Sequence, residues 1–310
     1  MNLKNIEASF LNKVIDERFL LEKKIESGGM SLIFLGREIH SNDRVAVKIC
    51  KTSDECRGFQ QEIRILRSLH HPGIQKIISI GILDGIPYYV MPYYGGMNFR
   101  EFLSDQAILA EQDIIQYFLQ ITDAVAYLHR RKIIHNDLKP QNILLDGEGH
   151  LILSDFGLAQ RVTRRKYIRN DQKTIWGSPV YLAPELPDGI SPSYASDVYS
   201  LGIILFILVL GYPPFFHDDL DILIKMHQSI DPPQPRKISS SVSTELEAII
   251  LCALAKSPRD RFKNAAVLQQ SITAYWDANR EKIEENSIIR HPEMLSYDQE
   301  RTKINRSDKD

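Results

Sequence analysis

"IIHNDLKPQN", residues 133–142, sets His135, Asp137, Lys139 and Asn142 inside one short stretch. That density of polar function raises the question of what chemistry it serves. Asp137 can accept a proton from an attacking hydroxyl or orient it. Lys139 can neutralise negative charge on a phosphoryl group in transfer. Asn142, with Asp155 of "SDFG" further on, offers oxygen ligands of the kind Mg²⁺ takes. Phosphoryl transfer asks for these parts, because the protein supplies positioning, metal binding and charge stabilisation rather than covalent chemistry.

Upstream of the stretch the pattern is strand-like. "FLLEKKIESGG", "SLIFLGREI" and "RVAVKIC" read as three strands, and "IQKIISIGI" and "IPYYVMPYY" as two more. Between them, residues 55–69 carry Phe59, Ile63, Leu66 and Leu69 on one face of an amphipathic helix. After Gly95 and Gly96 the spacing turns helical, most clearly in "EQDIIQYFLQITDAVAYLHRR". Two short strands, "NILLD" and "LILSD", are joined by "GEG"; residues 156–192 lack periodicity; residues 193–276 read as helices broken at prolines. The expectation is an α+β chain with strands first, helices second, and a hinge at the glycine pair.

Bulk properties narrow the class. At 310 residues the chain buries a sizeable core without disulfide or metal support. A net charge of −2 argues against a general nucleic-acid binder. Cys50, Cys56 and Cys252 form no CxxC and read as free thiols in a reducing compartment. The N-terminus shows no signal-peptide pattern. The most apolar run, "LGIILFILVLG" at 201–211, is about half of the roughly 20 residues a bilayer needs, so a buried core helix is expected and no transmembrane segment.

Three upstream features are ambiguous alone. "ESGGMS" suits a phosphate cradle or a hairpin turn. Lys48, ending "VAVK", suits a phosphate contact or a surface lysine. Glu62, on the amphipathic helix, suits a partner for that lysine or a solvated helix face.

Taken in order, "VAVK", "HNDLKPQN", "DFG" and "APE" (183–185) resemble the signature set of protein kinases. The resemblance covers residues 19–276 and is nearest in wording to eukaryotic-like, Hanks-type serine/threonine kinases of bacteria. It implies the two-lobed fold: an extension at 1–18, a kinase domain at 19–276 (N-lobe 19–94, C-lobe 95–276) and a polar tail at 277–310, which reads as a short helix followed by a disordered segment. It also implies ATP with Mg²⁺, for which Mn²⁺ may substitute, a protein substrate with a Ser or Thr acceptor, no nucleic acid, and a cytoplasmic setting or that of a secreted effector. Oligomeric state stays open.

The resemblance assigns roles residue by residue. The loop of Ile25, Glu26, Ser27, Gly28, Gly29, Met30 and Ser31 would cover the ATP phosphates. Lys48, fixed by Glu62, would hold the α- and β-phosphates. Ile33, Ala46 and Leu144 would wall the adenine, with Met91 as gatekeeper and Pro92 and Tyr94 facing the ring. Asp137 would be the base, Lys139 would steady the γ-phosphate, and Asn142 and Asp155 would bind the metal. Phe156, Gly157, Thr163, Thr174, Ser178 and Glu185 would form the activation segment, Glu185 pairing with Arg261. Leu66, Ile77, Phe156 and His135 would stack into a spine anchored by Asp197. "DLKPQN" and Ser178 are the serine/threonine pattern.

Three departures stand out. Asn136 replaces the usual arginine and cannot offer phosphate a charge-assisted fork, which implies independence from activation-loop phosphorylation, although the loop is basic enough to meet a phosphate on Thr163 or Thr174. Glu26 and Ser31 replace loop glycines, so ATP affinity should be somewhat weaker. Asn98 stands where a ribose-binding residue is expected. Rival readings are a pseudokinase, disfavoured by the presence of Lys48, Asp137, Asn142 and Asp155; a small-molecule phosphotransferase, disfavoured by "GSPVYLAPE"; and a pure interaction protein acting through the basic loop or the tail.

Overall fold

The computed structural model describes residues 10–27, 31–51, 56–106, 109–162 and 178–285. The chain divides into two compact units, one of Met1–Gly96 with Leu145–Leu158, the other of Met97–Leu144 with Ala159–Asp310.

Among its described residues the first unit is a six-stranded antiparallel sheet with a helix inserted. Its strands are β1 (Val14–Ile15), β2 (Phe19–Ser27), β3 (Ser31–Glu38), β4 (Arg44–Cys50), β5 (Ser79–Leu83) and β6 (Ile86–Pro92), in the order β1-β2-β3-β4-β6-β5. Helix α1 (Cys56–Leu66) lies between β4 and β5 in sequence. Alternation gives the sheet two faces. One carries an apolar cluster of Phe10, Phe19, Leu21, Phe34, Val45, Val47, Ile49 and Val90. Register places Ile33, Ala46, Lys48, Tyr89 and Met91 together on the other, since Lys48 stands opposite both Ile33 and Tyr89 while Ala46 stands opposite Met91. Residues 1–18 read as an extension, yet Phe10 is fully buried against Phe34 and β1 pairs with β2. A two-residue strand carries no periodicity, so nothing in the sequence marks it.

The second unit is mainly helical: α2 (Phe99–Asp105), α3 (Glu111–Arg130), α4 (Tyr194–Leu210), α5 (Leu220–Ser229), α6 (Pro235–Ile238), α7 (Thr244–Ala253) and α8 (Ala265–Glu285). Short strands β7 (Ile133–Ile134) and β10 (Gln160–Arg161) pair antiparallel; β8 (Ile143–Leu145) and β9 (Leu151–Leu153) fall between them in sequence. Helix α4 holds the 201–211 run, and Leu201, Ile203, Ile204, Leu205 and Phe206 are fully buried, so the core-helix expectation holds. A Cβ at Gly202 would sit 2.9 Å from the Ala253 Cβ, so glycine lets α4 and α7 approach. Gly211 ends α4 in the left-handed conformation, φ 85°. The tail boundary expected at 276 falls inside α8, which packs along α3 and buries Leu268, Ile272, Tyr275 and Ile283. The polar residues between these positions hide a helical stripe that outlasts the apolar composition. Among the described residues no helix is long and apolar enough to cross a membrane.

Candidate active site

In the sheet unit, Lys48 reaches inward from β4 and is almost wholly buried. Its Nζ lies 2.7 Å from Glu62 Oε1 on α1 and 3.1 Å from Asp155 Oδ1. Burial works against the ammonium charge, but Tyr89, Glu62 and Asp155 outweigh it, and the pKa stands well above the ordinary lysine value. The lysine is therefore a fixed cation. Asp155 has φ 55°, a left-handed conformation rare outside glycine and common at functional sites.

In the helical unit, the 133–142 stretch leaves β7 and turns sharply. Asn136 has φ 66°. Asparagine is among the few residues that accept this conformation readily, which is a local reason for its place between His135 and Asp137. Pro140 then opens a single 3-10 turn, Pro140–Asn142. The turn brings the polar groups onto Asp137. Lys139 Nζ donates to Asp137 Oδ2 at 2.8 Å and to Ser178 Oγ at 2.9 Å. Asn142 Nδ2 donates to the Asp137 carbonyl and to Oδ2, both at 2.8 Å. The Ser178 amide donates to Asp137 Oδ1 at 3.3 Å. Asn142 thus commits its amide nitrogen to Asp137.

Two buried anchors hold this loop. Asp197, near the start of α4, accepts the His135 and Asn136 backbone N–H groups at 2.9 Å each. His129 Nε2 is also 2.9 Å from Asp197, while His129 Nδ1 accepts the Ala265 N–H at 3.1 Å. Because Nδ1 is an acceptor, Nε2 carries the proton and donates to the carboxylate. Arg261 forms a buried two-pronged pair with Glu185, at 3.0 and 2.7 Å. Its remaining N–H groups go to the carbonyls of Ala195, Ala255 and Lys256, so all five donors are used.

A family model described as the protein kinase domain matches residues 19–273. The chain belongs to that family. It is 32% identical over 275 residues to the serine/threonine-protein kinase PrkC of Bacillus subtilis, covering 87% of this chain and 42% of PrkC. It is 29% identical over 276 residues to the probable serine/threonine-protein kinase PknB of Lactococcus lactis, covering 87% and 44%. It is 31% identical over 268 residues to the PknB of Mycobacterium leprae, covering 83% and 43%. The chain thus spans less than half the length of these curated relatives.

Within this kinase domain, the expected residues gather in two groups. Lys48, Glu62 and Asp155 meet in the sheet unit, with Ile33, Ala46 and Met91 on the same sheet face as Lys48. Asp137, Lys139, Asn142 and Ser178 meet in the helical unit, as do Asp197 with His135 and Glu185 with Arg261. Ile25, Glu26 and Ser27 end β2 with exposed side chains, Ser31 opens β3, and Phe156 is fully buried. Pro92 closes β6, and the Tyr94 hydroxyl accepts the Lys76 N–H at 3.4 Å. Leu144 lies on β8 and bridges to Asn98. Gly28, Gly29, Met30, Thr163, Thr174 and the residues after Glu285 lie outside the described residues. The Asn98 side-chain oxygen caps α2, accepting the Glu101 N–H at 3.0 Å, while Glu101 reciprocates. That is a capping box, legible as Asn-x-x-Glu. Sequence reasoning missed His129, Gln75 and Tyr89, which no local motif marks and whose partners lie far along the chain or on another element.

Beside Ser178 the helical unit contains a cavity of about 250 Å³. It is lined by Arg100, Leu103, Gln141, Ser178, Ile207 and Phe216, among others, and the buried Gln141 Oε1 meets no hydrogen-bond partner among the described residues.

Proposed function

We propose that the chain is an ATP-dependent protein serine/threonine kinase acting on Ser and Thr hydroxyls of other proteins. The observation that carries the reading is Lys139 Nζ held between Asp137 Oδ2 and Ser178 Oγ. A lysine so placed faces both the proton-accepting carboxylate and the hydroxyl-bearing segment of the acceptor side, the arrangement the serine/threonine pattern calls for. The names of the relatives, all serine/threonine-protein kinases, support it.

In this reading, Asp137 accepts the proton of the substrate hydroxyl as its oxygen attacks the γ-phosphorus. Lys139 offsets charge on the transferring group, and its tether to Ser178 fixes it for that task. Lys48 holds the α- and β-phosphates, and its raised pKa keeps it cationic throughout the working range. Ile33 and Ala46 give the adenine ring an apolar wall, a role Leu144 shares. Asn142 and Asp155 would be the metal ligands. A bound Mg²⁺ or Mn²⁺ would draw charge from the phosphate oxygens. The donor set fits: the half-exposed Asp155 carboxylate and the Asn142 carbonyl are hard oxygens, and Mg²⁺ binds through one or two carboxylates plus phosphates rather than a protein cage. The cavity beside Ser178 suits a peptide flanking the acceptor residue, which favours a protein substrate over a small molecule. We place the reaction in the cytoplasm.

Radiolabelled ATP with Mg²⁺ and a generic basic protein tests the reading. Label on Ser or Thr is expected from the native chain, and a loss of about 10³-fold from Asp137→Ala. Nucleotide binding without label from either protein would favour the pseudokinase.

A further inference from the structure

Glu62 is held by more than Lys48. The Tyr89 hydroxyl donates to the same carboxylate oxygen, Oε1, at 2.9 Å, and Gln75 Nε2 donates to the Tyr89 hydroxyl at 3.2 Å. All four side chains are buried: Tyr89 is 0% exposed, Glu62 2%, Gln75 3% and Lys48 8%. Burial, then the Glu62 charge, pushes the Tyr89 pKa well above the ordinary phenol value, so the hydroxyl keeps its proton and donates. Tyr89 stands directly opposite Lys48 in the β4–β6 register, and its ring lies 5.5 Å from Phe59 on α1. Two donors from neighbouring strands therefore converge on one carboxylate oxygen supplied by the helix. A single donor would leave the carboxylate free to rotate about its terminal bond; two from different directions fix it.

The chain of bonds also closes on itself. The Gln75 backbone N–H donates to the Leu153 carbonyl at 2.9 Å, and the Leu153 N–H to the Gly73 carbonyl at 2.9 Å. Leu153 ends β9, two residues before Asp155. Asp155 returns to Lys48 at 3.1 Å. Lys48, Glu62, Tyr89, Gln75, Leu153 and Asp155 thus form a ring within the sheet unit, in which α1, β4, β6 and β9 each contribute a member.

We infer that Gln75 and Tyr89 are positioning residues that set Glu62, and through it Lys48, in register with Asp155, so that the lysine is poised for phosphate without a signal from outside the sheet unit. Both are buried behind Glu62, and their chain of hydrogen bonds runs to it. The inference rests on the kinase reading for its kinetic consequence but not for its binding consequence.

The test is a double-mutant cycle, read both as Mg·ATP affinity by calorimetric titration and as kcat/KM for ATP. Tyr89→Phe keeps the ring and removes the donor. It is expected to lower affinity and kcat/KM about tenfold, the scale of one hydrogen bond to a charged group. In a Glu62→Ala background the same change is expected to alter either quantity by no more than about twofold. Gln75→Leu, which leaves the Tyr89–Glu62 bond in place, is expected to show a smaller loss of about threefold that also disappears in that background, and it carries the test if Tyr89→Phe does not fold. An equal loss in both backgrounds would assign these residues to packing alone, and no loss in the native background would remove their role; either result overturns the inference. A native chain that binds Mg·ATP but transfers no phosphate would count against the kinase reading, while the affinity cycle would still decide this one.

Discussion

Lys48 and Lys139 each meet an aspartate, and the two encounters are built differently. Lys48 lies 107 residues from Asp155 and 14 from Glu62, and it is brought to them by strand register and a helix docked on the sheet. Lys139 lies two residues from Asp137 and meets it locally, as the extended residue just before the Pro140–Asn142 turn. The sheet unit orients its charges with side chains, Tyr89 and Gln75 behind Glu62. The helical unit orients its loop with backbone N–H groups given to a buried carboxylate, Asp197, and with a second buried pair between Glu185 and Arg261. A local turn needs an anchor below it; a long-range pair needs partners around it.

The largest test of that contrast is Arg261→Met. It leaves Glu185 charged and buried without its partner, so a stability loss of about 3–5 kcal/mol is expected in chemical denaturation. A loss under about 1 kcal/mol would mean that the helical unit does not lean on this anchor.

A second test uses acid. His227 is buried, its Nδ1 lies 2.8 Å from the Tyr199 hydroxyl, and burial together with Lys256 lowers its pKa to about 3. Between the unfolded value of about 6.5 and the folded value of about 3, the unfolded chain holds one proton more. Stability therefore falls as the pH drops through that window and is unaffected above it. Each pH unit should remove about 1.4 kcal/mol through this residue. His227→Leu should flatten the acid limb of the stability curve by that slope; an unchanged slope would show that the native state accommodates the protonated ring.

Two small effects sharpen the comparison further. Glu26 is exposed at the end of β2, so Glu26→Gly should leave the ATP KM unchanged or modestly lower; a marked rise would give that carboxylate a part in holding nucleotide. With asparagine at 136, Thr163→Ala with Thr174→Ala should keep kcat within about twofold of native, because no arginine at that place awaits a loop phosphate. Loss of activity in the double variant would show that the basic loop itself serves a phosphorylation switch.

Much of the helical unit's site is legible because its parts are close in sequence. Asp137, Lys139 and Asn142 fall within six residues, and that short spacing lets both Lys139 and Asn142 reach the Asp137 carboxylate. The apolar run at 201–211 declares α4 by its continuity. Asn98 caps α2 through a reciprocal pair of bonds with Glu101, and the Asn-x-x-Glu spacing already carries that signature in the sequence. Phe10 and β1 escape because two paired residues leave no pattern.

The sequence by itself determined the family, the order of strands and helices, the makeup of the 133–142 loop and the identities of the charged residues, because each rests on short-range spacing and residue chemistry. Tertiary structure alone decided which neutral groups stand behind those charges: Tyr89 and Gln75 behind Glu62, and His129 beside Asp197. The reason is physical. A tyrosine in a strand or a histidine in a helix has the same local preference whether or not a carboxylate faces it, and only burial beside that carboxylate gives its polar atom a partner to meet.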